Sequence, residues 1–218
     1  LKLMNDLRLA SKVPWVLGYT EPSTEMIATV IRIVKAHKQE GRKGLIGTTF
    51  IQESKLIHEA LHKAGLKGVR IYANDETVSP KHMTSDMRED ILEEFQEDPE
   101  CCYLISNKEL VAEGLNLSET ASYTISCSQG WRSNVESQWL ARVVRPGQIW
   151  PWVDSYNLIN VGTIDIYINE LLKAKLEATA GIIDLNFSSS YGDDTIVVDP
   201  IKLLSSIQRR VDAKSGVS

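Results

Sequence analysis

Gly44-Leu45-Ile46-Gly47-Thr48-Thr49 is a short apolar run ending in two hydroxyls, and a helical pattern follows it directly. From Gln52 to Ala64 the apolar residues fall at 56, 57, 60, 61 and 64, a stripe of helical period. Gly65 and Gly68 punctuate its end, and Val69-Arg70-Ile71-Tyr72 is a second strand-like run. The same alternation continues. Met83 to Phe95 is helical, with Met87, Ile91, Leu92 and Phe95 on one side. Tyr103-Leu104-Ile105-Ser106 reads as a third strand and Ser122 to Cys127 as a fourth. Val135 to Val144 is expected to be a helix, stopped before Pro146. Val153 to Val161 is strand-like, and Ile164 to Ala178 is strongly helical. Strand–helix alternation predicts an α/β fold: a parallel sheet with helices on both faces. Such sheets bind ligands at the carboxyl ends of their strands. The loops after Thr49, Tyr72, Ser106 and Cys127 are therefore the expected places for chemistry.

Working outward, residues 1–43 precede this body and hold one expected helix, about 23–39, entered through Pro22. Residues 44–181 form the α/β domain. Residues 182–218 read as a tail with a Ser-rich patch, the acidic pair Asp193 and Asp194, and a last helix from Pro200. The chain has 218 residues, which against about 150 per domain means one large domain or one domain plus a tail. With 24 basic and 29 acidic residues the net charge is −5, which excludes a nucleic-acid binder that works by overall basic charge. Any polyanion contact needs a local basic surface. No apolar run reaches the roughly 18 to 20 residues of a membrane span; the best, Met26–Val34, is broken by Arg32. No signal-peptide pattern opens the chain. Cys101, Cys102 and Cys127 lack CxxC spacing and are odd in number, the pattern of reduced thiols in a cytoplasmic or nuclear protein. Residue 1 is Leu rather than Met, as expected of a piece of a longer protein.

Two constellations carry candidate chemistry. His58-Glu59-Ala60-Leu61-His62 matches HExxH, in which two histidines one turn apart bind zinc and the Glu acts as general base. However, Gly68 stands where a third His would follow, and the apolar stripe turns His58, Glu59 and His62 toward solvent. A solvated helix face is the expected reading, with no metal site, and a zinc hydrolase is kept as an alternative. The second constellation is Gln138-Trp139-Leu140-Ala141-Arg142-Val143-Val144-Arg145-Pro146-Gly147-Gln148. Gln138, Arg142 and Arg145 lie four and three apart and share one face if helical. Two guanidiniums and an amide so placed suit phosphate. Pairing with Glu136 or Asp154 at the surface would explain the arginines equally well.

The ordered set of motifs resembles the C-terminal RecA-like lobe of superfamily 2 helicases, and within them the Swi/Snf-type DNA translocases. Gly114-Leu115-Asn116-Leu117 is similar to that family's GLNL segment. Gln138, Arg142, Arg145, Gly147 and Gln148 match its Q-x-x-x-R-x-x-R-x-G-Q signature. Leu45-Ile46 with Thr48, Thr49 and Phe50 looks like motif IV, Arg88 with Phe95 like the helix after it, and Leu104-Ile105-Ser106 like the strand entering motif V. Leu7-Arg8 with Pro14 looks like the lead-in between lobes, and Gly162-Thr163 with Ile168 and Lys175 like the last strand-to-helix step. The likeness covers roughly residues 7–180. Glu109 to Glu113 is bulkier and more acidic than the family's small glycine-rich run. Ser128 to Asn134 replaces an Asp-containing loop, and Val144 stands where His is common. This divergence suits a viral or phage-type member.

The resemblance implies a motor lobe of an ATP-dependent helicase or translocase. The chain has no GxxxxGK[ST] and no DExx at a strand end. ATP and Mg²⁺ are therefore expected on an N-terminal RecA-like lobe of a longer chain, and this chain alone is expected to be inactive. Arg142 and Arg145 would be arginine fingers, with Gln138 orienting them. Glu113, Gly114 and Asn116 would bind or couple to nucleotide. Thr48, Thr49 and Ser106 would contact phosphates of DNA, expected to be double-stranded. A module that kept the fold but lost catalysis, binding nucleic acid or protein, is the other alternative.

Overall fold

The computed structural model describes residues 2–12, 24–72, 83–111 and 115–184. The elements run α1 (Lys2–Lys12), α2 (Thr24–Gln39), β1 (Lys43–Thr48), α3 (Ile51–Lys63), β2 (Lys67–Ile71), α4 (Ser85–Glu97), β3 (Cys101–Asn107), α5 (Lys108–Val111), β4 (Ala121–Ser126), α6 (Ser133–Leu140), β5 (Asp154–Asn157) and α7 (Ile164–Asp184). The five strands form one all-parallel sheet in the order β2-β3-β1-β4-β5. Parallel strands need crossover connections, and helices supply them here.

Alternation along β1 shows how the sheet is covered. Ile46 points to one face, where Met26, Val30 and Val34 of α2 and Ile57 and Leu61 of α3 pack with Ile105 and Ile125. Leu45 points to the other, where Phe95 of α4 and Trp139 of α6 pack with Val69 and Leu104. Both faces are dry, which is why β1, β3 and β4 read as nearly unbroken apolar or small-residue runs. A third, smaller cluster joins Ile164, Ile168 and Leu172 of α7 to Leu7 and Trp131.

Three sequence expectations change, and one is that β5 spans only Asp154–Asn157 of the strand expected over Val153 to Val161. α1 is a helix that the apolar pattern of residues 1–43 did not announce, because its buried side chains include Arg8 and Lys12. α6 stops at Leu140 rather than Val144. There the backbone tightens: Arg142 N donates to Trp139 O at 3.1 Å and Val143 N to Leu140 O at 3.0 Å, a spacing of three residues. The tail expected from residue 185 onward lies outside the described residues.

Candidate nucleotide- and nucleic-acid-facing site

The helix after β4 runs back against the strand direction. It begins beside the carboxyl end of the sheet, where Glu136 of α6 accepts from Gly130 N at 3.0 Å and meets Lys108 Nζ at 2.5 Å. It ends beside the amino end of β4. Arg142 O accepts from Leu117 N at 3.0 Å, and Gln148 Nε2 donates to Ala121 O, the first residue of β4, at 3.1 Å. The sequence-predicted residues therefore divide between the two edges of the sheet, not one.

At the amino edge, the Asn116-Leu117 segment meets the turn that carries Arg142 and Arg145. The Leu117–Arg142 bond joins the two motif segments through their backbones. Gln148 staples the turn between them and β5: Nε2 also reaches Val143 O at 2.9 Å, and Oε1 accepts from Trp150 N at 3.1 Å. Gly147 has φ +96, a conformation that costs glycine nothing, and it faces Ser118. Ser118 in turn donates to Asn116 Oδ1 at 2.9 Å. Arg145 and Gln138 are exposed and Arg142 is half-buried. Gln138 lies on α6, whereas both arginines lie beyond its end, so the shared helix face expected for the three does not form. The tight turn after Leu140 carries both arginines instead. Glu113 and Gly114 lie outside the described residues.

At the carboxyl edge stand Thr48, Thr49 and Ser106. Thr48 and Ser106 are fully buried, with Thr48 Oγ1 donating to Ser106 O at 3.4 Å. Burial withdraws both from direct contact with a phosphate, contrary to expectation. β1 and β3 lie inside the sheet, and Thr48 and Ser106 both fall within the buried part of their strands. Thr49, one residue further, is half-exposed. Its N–H donates to Ser128 Oγ at 2.7 Å, and its carbonyl accepts from Asn107 Nδ2 at 2.9 Å.

Beneath this edge lies a buried charge network that the sequence reading missed. Glu53 is fully buried and accepts from Ser128 Oγ at 2.6 Å. Burial pushes its carboxyl above the usual range; Lys12, the Ser128 and Thr49 bonds and Lys108 oppose that. Lys108 is buried too, bonded to Ser126 Oγ and Glu136 at 2.5 Å each and lying over the Trp139 ring. Burial lowers its ammonium pKa and Glu136 holds it up. A signal was present: Glu53 sits four and eight residues before Ile57 and Leu61, on the buried face of α3.

Of the HExxH residues only His58 turns inward, where all three are expected to face solvent. His58 is half-buried, its Nδ1 3.3 Å from the Tyr103 hydroxyl, and His62 Nε2 lies 3.3 Å from Gly68 O. Glu59 and His62 are exposed. Among the described residues no group of three or more His, Cys, Asp or Glu gathers to hold a metal. Nor, among them, is any helix long and apolar enough to cross a membrane.

The family model of the helicase conserved C-terminal domain matches residues 25–147, from α2 through the turn that carries Arg142 and Arg145. The chain belongs to this family. Two solved structures share the fold of this helicase C-terminal domain. The C-terminal part of the Fun30 ATPase domain aligns with a TM-score of 0.67 and 17% identity, over 97% of this chain and 62% of that one. The Sulfolobus solfataricus SWI2/SNF2 ATPase C-terminal domain aligns with a TM-score of 0.61 and 23% identity, over 87% of this chain and 72% of that one. This chain thus spans less than two thirds of the Fun30 structure. No curated protein matches the sequence. The helicase C-terminal domain is RecA-like, as its motif order implied.

Proposed function

We propose that this chain is the second motor lobe of a Swi/Snf-type ATP-dependent DNA translocase, and that Arg142 and Arg145 act on ATP held by a partner lobe. The observation that supports this is the backbone-locked turn at the amino edge, which ties the segment carrying Arg142 and Arg145 to the Asn116-Leu117 segment within the family match. The donor set fits the nucleotide. Guanidiniums are permanently charged forks suited to phosphate oxygens, and Arg145 already projects into solvent. ATP with its Mg²⁺ supplies the transferable γ-phosphoryl group. Arg145 would place charge against oxygens where negative charge grows, and Arg142 would set the angle of approach. Gln138, exposed one turn earlier, would orient the pair. Asn116 would sense the nucleotide through the Leu117–Arg142 bond.

Backbone contact with duplex DNA falls to Thr49 at the opposite edge, with Thr48 and Ser106 supporting it from below. Contacts of that kind position a strand without reading its sequence. α6 spans the two edges and would link them mechanically.

Two measurements test the reading. The 218-residue chain alone should hydrolyse no ATP above background; DNA-stimulated turnover by it would remove the need for a partner lobe. In the full motor, Arg145→Ala should lower turnover by about 10³ to 10⁵, the range for a lost arginine finger, while nucleotide affinity holds. Unchanged turnover would favour a non-catalytic binding module.

A further inference from the structure

α1 is fastened to the carboxyl edge by a set of bonds that the motor reading leaves unused. Arg8, 6% exposed, donates from Nη2 to Gln129 O at 2.7 Å. Its guanidinium lies 5.2 Å from the centre of the Phe50 ring and 5.4 Å from that of Trp131. One turn on, Lys12, 2% exposed, pairs with Asp165 of α7 at 2.7 Å. Ser11 Oγ reaches the same carboxylate at 3.1 Å, and the Asn160 side chain donates to Ser11 O. The apolar part of the attachment is Leu7, which is half-buried against the Ile164–Ile168–Leu172 cluster.

The balance of these forces matters. Apolar contact is non-directional and tolerates sliding, whereas a hydrogen bond weakens steeply away from its preferred angle. A helix fastened mainly by buried cations has one docked geometry. Arg8 spends that geometry on two loops at once: Phe50 belongs to the loop between β1 and α3, and Gln129 and Trp131 to the loop between β4 and α6. Those are the loops joined by the Thr49–Ser128 bond and anchored on Glu53. Lys175 of α7 also donates to Trp131 O at 3.1 Å.

We infer that α1 is a positioning latch, in which Arg8 holds the Phe50 and Gln129–Trp131 loops in the geometry that presents Thr49 to a nucleic-acid phosphate. The latch rests on the contacts above; only the phosphate rests on the proposed function. Arg8 touches no reacting atom and acts through the loops.

The test uses the chain itself, with Arg8→Ala and Arg8→Lys. The readouts are hydrogen exchange of the amides of residues 49–50 and 128–132, and binding of a fluorescein-labelled DNA duplex by anisotropy. For Arg8→Ala, exchange in both loops should rise about tenfold and duplex affinity should fall about tenfold, the scale of one lost charged hydrogen bond. Arg8→Lys keeps the charge but not the plane that covers both rings, and should fall between. Faster exchange confined to α1 and α7, with both loops unchanged, overturns the latch. Loosened loops with unchanged duplex affinity keep the latch and overturn the phosphate reading. If Arg8→Ala does not fold, the same comparison is made with Arg8→Lys and Lys12→Met.

Discussion

At Gly44 an added Cβ would lie 2.1 Å from the Tyr123 ring, and at Gly68 one would lie 2.5 Å from the Tyr103 ring. The two tyrosines lie flat over neighbouring strands, in the space that missing side chains leave. Gly44→Ala should therefore destabilise the fold by about 1–3 kcal/mol, the usual cost of overpacking a filled core; the shift in urea midpoint measures it. Titration gives a second residue-scale prediction. Burial, then the neighbouring His62 and Arg70, lower the His58 pKa from 6.5 to about 4. Between those values the unfolded chain takes up the proton more readily than the folded one. Stability should thus fall as pH drops from 6.5 to about 4, and His58→Gln should flatten that slope in a pH series of unfolding curves.

Most elements were legible, because β1 through β4 and α2, α3, α4 and α7 each follow an apolar period. The failures have physical causes. α1 has no apolar signature because Arg8 and Lys12 occupy buried positions, so periodicity in apolar residues does not reveal it. The end of α6 is not marked in the sequence because the apolar pattern continues through Val143, which stays buried although the backbone has already tightened. The arginine segment was legible as a motif, but its place was not. Nothing local says that α6 carries it to the amino edge. The charged groups under Thr49 come from four separate elements and meet only in the fold. At this scale the Gln148 staple is testable. Gln148→Ala removes the bonds to Val143 O, Ala121 O and Trp150 N. It should cost about 1–2 kcal/mol and speed hydrogen exchange from Arg142 to Trp150 without disturbing β1.

For the molecule as a whole, all three cysteines are buried and free. Burial pushes the Cys101 thiol up to about 11 and raises Cys102 and Cys127 as well. Thiolate is the reactive form, so at pH 8 a thiol reagent should modify none of them until the sheet opens. Its rate then reports global unfolding, and rapid labelling of the native protein would contradict the packing described. The strand order has a consequence of another kind, for the nascent chain on the ribosome. β1 and β2 are consecutive in sequence, yet β3 lies between them. Gly44 first finds a partner at Tyr103 and a second at Tyr123. No two strands can pair until Cys101–Asn107 has been synthesised and has left the exit tunnel. Nearly half of these 218 residues must wait as separate helices and unpaired strands, exposed to chaperones and to their neighbours. A chain truncated after Glu97 should consequently show helical but no cooperative β signal in circular dichroism.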